Sequence, residues 1–180
     1  RGVGESFAVF LLPVAREFGA DRAALTSIYS TYMLVIGLVS PIAGQLVDRL
    51  GPRRCYGLGL SLFGCAYLLA GSMTALWQMQ LWIGVLSAIG ATMLGMVPAS
   101  SLASRWFREH LPTAMGILSA ALGIGMLLVA PLMQAIVERW GWRQAYTGIG
   151  VTVFAMLALV WWLPWTRIAA GSPDVVGAME

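Results

Sequence analysis

The sequence contains no lysine, a single histidine and two cysteines, and only 11% of its 180 residues are charged. A soluble domain carries about 25% charged residues, so this composition indicates a membrane protein. Cys55 and Cys65 fall on one predicted helix, ten residues apart, and cannot face each other as a disulfide bridge. With one histidine there is no set of metal ligands, and no cofactor motif or catalytic arrangement of side chains supports an enzyme. The arginines are scattered over short loops, which argues against a nucleic-acid partner.

Charged residues are missing from four long segments, which hold 25, 50, 28 and 23 residues at positions 23–47, 55–104, 110–137 and 144–166. A membrane-spanning helix needs about 20 apolar residues. The longest segment therefore holds two helices, with a break at residues 71–74, and each of the others holds one. We predict five complete spans, at residues 26–47, 55–72, 76–102, 113–137 and 145–163.

The beginning of the chain predicts an incomplete helix. Residues 3–14 give only about 12 residues of apolar sequence before the charged segment 15–22, and this is too short to cross a bilayer. It also lacks the basic end and cleavage site of a signal peptide. We therefore expect that the first helix, at residues 1–15, is truncated. Residues 165–180 turn polar and are expected to begin a cytoplasmic linker.

The tryptophans and arginines give the expected placement in the membrane. All eight tryptophans lie at or near predicted helix ends, as in the interfacial belt of a multi-span protein. A cytoplasmic position for the turn at residues 44–54 leaves more arginines inside than outside, in agreement with the positive-inside rule. We expect a multi-pass protein of the plasma membrane, which is the inner membrane in a bacterium.

An internal repeat appears when the chain is shifted by 90 residues, because residues 40–56 then align with residues 130–146. An odd number of crossings separates the two copies, so they lie on opposite sides of the membrane. This is the arrangement of a three-plus-three inverted repeat. Short turns with glycine and arginine are common after apolar helices, so a chance resemblance stays open. The second copy provides the repeat-related turn, with Glu138, Arg139, Gly141 and Arg143 in the places of Asp48, Arg49, Gly51 and Arg53.

The turn at residues 44–54 carries most of the charge of its neighbourhood. Gly51 and Pro52 end one helix there, and the arginines that follow can reach water and lipid headgroups. Its pattern, Gly-x-Leu-x-Asp-Arg-x-Gly-x-Arg-Arg, resembles the loop between the second and third helices of major facilitator superfamily transporters. The resemblance implies an all-α polytopic membrane bundle, namely the N-terminal half of the fold with its first helix truncated. A missing C-terminal six-helix half would belong to the same chain or to a partner.

A second resemblance narrows the family. The segments 105–107, 114–117 and 141–146 are similar to the fourth-to-sixth helix pattern of the monocarboxylate and oxalate/formate branch. This implies a secondary active transporter of a small organic anion, a mono- or dicarboxylate, with a proton as its coupling ion and alternating access as its mechanism. Two alternatives stay open: efflux of hydrophobic compounds, and a half-length membrane module that does not transport.

The family resemblance also implies a role for the turn as a gate. Asp48 would hold arginines and a helix N-terminus of the partner half in one state and release them in the other. The simpler alternative is a solvated turn that anchors the helices. The gating motif comprises Gly44, Asp48, Arg49, Gly51, Arg53 and Arg54.

Four further residues are candidates for contact with the substrate or the proton. Arg1 and Glu5 lie roughly 15–21 Å inside the predicted membrane, where charges are costly and usually functional. Arg1 would face a substrate carboxylate and Glu5 would carry a proton, or the two would neutralise each other at their i, i+4 spacing. Tyr29 and Tyr32 would donate hydrogen bonds in the cavity, or would only pack.

Overall fold

The computed structural model describes residues 7–107 and 110–162, and within these ranges all regular structure is helical. The all-α prediction is confirmed. The charged residues Arg1 and Glu5, and the predicted linker, lie outside the described residues. In chain order the elements are α1 (Phe7–Phe18), α2 (Arg22–Leu50), α3 (Pro52–Gly71), α4 (Leu76–Met79), a π-helix π1 (Gln80–Leu86), α5 (Ser87–Met93), α6 (Met96–Trp106), α7 (Leu111–Trp140) and α8 (Trp142–Trp162).

Four helical segments are long and apolar enough to cross a membrane, and they lie at Ala23–Leu50, Leu76–Ser104, Leu111–Trp140 and Trp142–Trp162. The helix α3 has 20 residues but is less apolar, because its first turn carries two arginines and the remainder contains four glycines and two tyrosines. It lies between two of these segments in the chain. A crossing by α3, predicted at residues 55–72, stays a prediction.

The helices extend beyond the charge-free segments from which the spans were predicted. The helix α2 continues to Leu50, α7 runs from Leu111 to Trp140, and α8 already begins at Trp142. Charged residues can lie in the last turn of a membrane helix when their side chains reach the interface. A prediction bounded by charges therefore underestimates the helices at their ends.

The fourth span, predicted as one continuous helix at residues 76–102, is divided by π1 and by a break at Leu94 and Gly95. Pro98 explains the break. Its ring clashes with the carbonyl of the residue four positions earlier, which is Leu94, and it has no N–H to donate. Gly95 accordingly takes an extended conformation, and α6 begins after it.

The core is organised around α3 and α8, which share the most extensive contact between two helices. Glycines allow the close approach. A Cβ added at Gly64 would lie 2.8 Å from the ring of Phe154, and one added at Gly150 would lie 2.6 Å from Leu68. Small residues at such positions let helix backbones approach in a membrane, where packing rather than water drives association.

An aromatic cluster joins α1 to this pair of helices. Phe10 stacks on Tyr146 with ring centroids 4.3 Å apart, and Tyr67 lies 5.6 Å from the same ring. All three side chains are fully buried. By contrast, α2 and α7 expose rows of leucine and isoleucine, including Leu34, Leu38, Ile124, Leu127 and Leu128. Such surfaces need lipid or another protein segment to cover them.

Candidate functional site

The first turn joins α2 to α3 through a single residue, Gly51. Its N–H donates to the carbonyl of Val47 at 3.0 Å, and its own carbonyl accepts from the N–H of Cys55 at 3.2 Å. Gly51 has φ 78°, a conformation that favours glycine because it has no Cβ. Pro52 follows at the first position of α3, where its missing N–H leaves no bond unmade. The sequence therefore specifies a turn that reverses the chain within one residue.

Asp48 lies one residue beyond Val47 on the last turn of α2 and is exposed. It lines an open pocket of about 390 Å³ between three helices. The other lining residues are Gly44 and Val47 of α2, Ser100, Ser101 and Ser104 of α6, and Leu111 and Met115 of α7. Among the side chains that the structure describes, no cation lies within ion-pair distance of the Asp48 carboxylate. The pocket therefore combines one exposed carboxylate with three serine side chains.

The three arginines of the first turn are exposed. The guanidinium of Arg53 lies 5.0 Å from the ring centroid of Trp161 at the end of α8. Arg49 and Arg54 form no ion pair with any carboxylate in residues 7–107 and 110–162. Of the six residues of the gating motif, the structure therefore brings Gly44 and Asp48 to the pocket and directs Arg53 to α8.

The second turn repeats the backbone of the first. The N–H of Gly141 donates to the carbonyl of Val137 at 2.9 Å, and the carbonyl of Gly141 accepts from the N–H of Ala145 at 3.2 Å. Gly141 has φ 82°. Glu138 and Arg139 are exposed, and Glu138 accepts a hydrogen bond from the amide of Gln134 at 2.8 Å.

Arg143 makes contacts that its counterpart in the first turn does not make. Its guanidinium pairs with Glu17 at 2.7 Å and donates to the carbonyl of Met73, also at 2.7 Å. It lies 4.4 Å from the ring of Trp142, whose indole N–H donates to Glu17 at 2.6 Å. We call Glu17, Met73, Trp142 and Arg143 the Arg143 cluster. It ties the end of α1 and the loop after α3 to the start of α8.

The Arg143 cluster favours the ionised form of the Glu17 carboxyl. The hydrogen bond from Arg143, followed by that from Trp142, holds the pKa of the Glu17 carboxyl below its ordinary range. Both charged side chains are about two-fifths exposed, so solvent weakens the pair. Glu17 was not among the predicted site residues, because it lies 126 residues from Arg143 and outside the repeated segment. Trp142, which was predicted to lie at a helix end, begins α8 and is buried by its neighbours Phe18 and Tyr146.

The two candidate tyrosines have different surroundings. Tyr29 is 38% exposed, whereas Tyr32 is only 3% exposed and belongs to the core. Their ring centroids lie 6.4 Å apart. Tyr29 is therefore partly exposed on α2, and Tyr32 packs inside the bundle. The structure does not describe Arg1 or Glu5, so their predicted roles stay predictions.

The sequence matches the profile of the Major Facilitator Superfamily over residues 1–175. The chain therefore belongs to this family of membrane transporters, as its helical bundle and its first turn indicate. It is a multi-pass membrane protein, and the family places it with transporters rather than enzymes.

Relatives give the branch that the chain resembles. It is 31% identical over 152 residues to an uncharacterized MFS-type transporter, YcxA, of Bacillus subtilis, covering 84% of this chain and 37% of that protein. It is 34% identical over 144 residues to monocarboxylate transporter 13 of Rattus norvegicus, covering 80% and 33%. It is 27% identical over 149 residues to monocarboxylate transporter 3 of Mus musculus, covering 83% and 30%. The chain thus spans about a third of the length of these relatives, and its resemblance to the monocarboxylate branch is confirmed.

Proposed function

We propose that the chain forms the N-terminal half of a secondary active transporter for a small organic anion, a mono- or dicarboxylate, coupled to protons. A second six-helix half would complete it, and the bacterial inner membrane is its proposed location. The similarity to monocarboxylate transporters supports the substrate class. The observation that carries the mechanism is the exposed Asp48 carboxylate, which borders an open pocket and has no cation at ion-pair distance among the described side chains.

The geometry of the pocket supports the role of Asp48 as a gate. The pocket opens between α2, α6 and α7 and offers one carboxylate beside three serine side chains. A carboxylate attracts a guanidinium and also the positive end of a helix dipole. A segment of the second half that carries either group would dock here in one state and leave in the other. The surrounding arginines, Arg49 and Arg54, would exclude a second cation from the outer side of the turn.

On the opposite side of the membrane the proposed gate is different. The Arg143 cluster is satisfied within this half, so we assign it to holding α1 against α8 rather than to contact with the second half. Glu138 and Arg139 are exposed there, but Glu138 already accepts a hydrogen bond from Gln134 of its own helix, so we assign no gate contact to it.

For the substrate itself we propose that Arg1 pairs with a carboxylate and that Glu5 carries the proton, with Tyr29 as a hydrogen-bond donor. Tyr32 takes a packing role because it is buried. Arg1→Ala and Glu5→Gln test these roles in the transporter. Unchanged uptake rate and unchanged pH dependence in both variants would contradict them.

The central experiment is reconstitution into proteoliposomes with an inward proton gradient and a panel of labelled mono- and dicarboxylates. We expect gradient-driven accumulation of one of them, abolished by a protonophore. A flat panel from a well-folded protein would contradict the proposal and would favour efflux, or a half-module that does not transport alone.

One observation favours efflux of a hydrophobic compound as the second candidate. A pocket of about 420 Å³ between α3, α6 and α7 is lined almost entirely by apolar side chains, including Leu102, Trp106, Phe107 and Ile117. Such a lining suits an uncharged, apolar ligand. Dye accumulation in cells with and without the transporter distinguishes this function from anion uptake.

A further inference from the structure

The hydroxyl of Tyr146 is a polar group buried in the contact between α1 and α8. Tyr146 is only 1% exposed, and among the residues that the structure describes its hydroxyl has no hydrogen-bond partner. A buried hydroxyl without a partner costs free energy. Most buried polar side-chain atoms in proteins are therefore paired, either with another protein group or with an ordered water. We accordingly expect an acceptor for this hydroxyl close to its ring.

The helix α1 supplies an acceptor of this kind, because it contains Pro13. In a regular helix the N–H of residue 13 would donate to the carbonyl of Val9, and proline has no N–H. The carbonyl of Val9 therefore lacks its helical donor. A backbone carbonyl in an apolar interior needs a partner, as the hydroxyl does. Thus α1 has an acceptor without its donor, and α8 has a donor without an acceptor.

The packing of the two helices brings these groups to the same contact. Phe10 and Pro13 share one face of α1 by their i, i+3 spacing. Phe10 stacks on Tyr146 with ring centroids 4.3 Å apart, so this face of α1 lies against α8. Helix carbonyls point toward the C-terminal end of the helix, and that of Val9 therefore points toward Pro13. It lies between the stacked rings and the Arg143 cluster, which joins the end of α1 to the start of α8.

We propose that an internal water molecule binds between α1 and α8. It accepts a hydrogen bond from the Tyr146 hydroxyl and donates one to the carbonyl of Val9. The structure gives no direct bond between these groups, because the hydroxyl has no partner among the described residues. Water suits the site because it is both donor and acceptor, and buried waters pair with polar groups that are otherwise unsatisfied. An ion is a poor alternative, since one hydroxyl and one carbonyl do not balance a buried charge.

The first test detects the water in the unaltered protein and needs no transport, so its failure is distinct from failure of the proposed function. Synchrotron X-rays produce hydroxyl radicals from bound water as well as from bulk water, and these oxidise adjacent side chains. We expect Phe10 to be oxidised about fivefold faster than Phe63, because a buried water reaches Phe10 alone. Phe63 is the matched control, since it belongs to the same core and is 4% exposed, against 1% for Phe10. Bulk water alone would therefore oxidise Phe63 at least as fast, and that result would overturn the site.

The second test distinguishes a bound water from an unpaired hydroxyl by the sign of a stability change. Tyr146→Phe removes one partner of the water and leaves the Val9 carbonyl unsatisfied, so the Tm should fall by about 3 °C. If the hydroxyl were unpaired, the same substitution would remove a desolvated polar group and raise the Tm. A rise in Tm would therefore overturn the proposal.

Pro13→Ala provides the matched background for this substitution. Alanine restores the N–H that donates to the Val9 carbonyl, so Tyr146→Phe should then lower the Tm by less than about 1 °C. Equal losses in both backgrounds would overturn the bridge to Val9. A loss of Tm without faster oxidation of Phe10 would indicate a direct bond and would overturn the water site. If a variant fails to fold, the oxidation of Phe10 and Phe63 in the unaltered protein decides.

Discussion

The turns at Gly51 and Gly141 have the same backbone but different contacts. Their φ and ψ angles are 78° and 160° at Gly51, and 82° and 162° at Gly141. In each turn the glycine N–H donates to a carbonyl of the helix before it, and the glycine carbonyl accepts from an N–H of the helix after it. The likeness extends into the core, because both residues of several pairs that lie 90 positions apart are buried. These pairs are Val47 and Val137, Pro52 and Trp142, Cys55 and Ala145, and Phe63 and Val153.

The two turns differ in the contacts that their charged side chains make. Arg143 pairs with Glu17 and donates to Met73, so the second turn is fastened to α1 and to the loop after α3. Arg53, in the equivalent place, reaches only Trp161 among the contacts that the structure gives. The two turns thus share their backbone and their buried positions and differ in their polar contacts. The second turn is held by contacts within this half, and under our proposal the first turn keeps Asp48 for contact with the second half.

The strongest test of the shared backbone is the pair Gly51→Ala and Gly141→Ala. Both glycines occupy a region of φ and ψ that is nearly restricted to glycine, so each substitution should destabilise the fold by about 2 kcal/mol. Neither site has a neighbour within 4 Å of an added Cβ, and the effect should therefore be equal in the two turns. Thermal unfolding in detergent measures it. Gly148→Ala is the control, because its Cβ also meets open space within a helix, where alanine is favoured. A loss confined to one turn would break the equivalence.

The second test addresses the difference in charge between the turns. Asp48→Asn removes the proposed attraction for the second half and should reduce substrate uptake by about tenfold, the effect of a coupling energy near 1.4 kcal/mol. Glu138→Gln, at the equivalent position, should change uptake by less than about twofold, because Glu138 already accepts a bond from Gln134. Initial uptake rates in proteoliposomes give both values. Equal losses would mean that both turns act as gates.

The turns and the helices were predictable because the signals are local. Charge-free segments of membrane length mark the spans, and a glycine before proline or tryptophan marks each turn. The contacts were not predictable from the same signals. Glu17 and Arg143 meet only after α1 and α8 pack together, and the serines that line the Asp48 pocket are contributed by α6. The break at Gly95 is an intermediate case, since Pro98 carries the signal for it.

The third test concerns the Arg143 cluster. Arg143→Gln removes the pair with Glu17 and weakens the bond to the carbonyl of Met73, and it should lower the free energy of unfolding by about 1 kcal/mol. Arg53→Gln at the equivalent position should have an effect of only about 0.5 kcal/mol, because an exposed cation–π contact contributes little. Chemical unfolding of the purified protein compares the two. A larger effect at Arg53 would contradict the assignment of Arg143, rather than Arg53, as the arginine that fastens its turn within this half.

The smallest expected effect depends on pH and isolates the charge of Glu17. Since contacts with Arg143 and Trp142 lower the pKa of Glu17, the folded state binds its proton less readily than the unfolded state does. The stabilisation is therefore complete above the ordinary glutamate pKa, about 4.3, and is lost as the pH falls through the lower value in the folded protein. At about 43% exposure of Glu17, the contribution should be only about 0.5 kcal/mol.

Glu17→Gln keeps the shape of the side chain and removes its titration. The wild-type protein should be slightly more stable than this variant near pH 6, and the difference should shrink toward pH 3, since the protonated glutamate and the glutamine then carry the same charge. Melting temperatures across this range measure the difference. A gap that stays constant with pH would show that the pKa of Glu17 is not lowered in the folded protein and that its charge does not contribute to stability. The ion pair would then contribute nothing to the distinction between the two turns, which would rest on the bond from Arg143 to Met73.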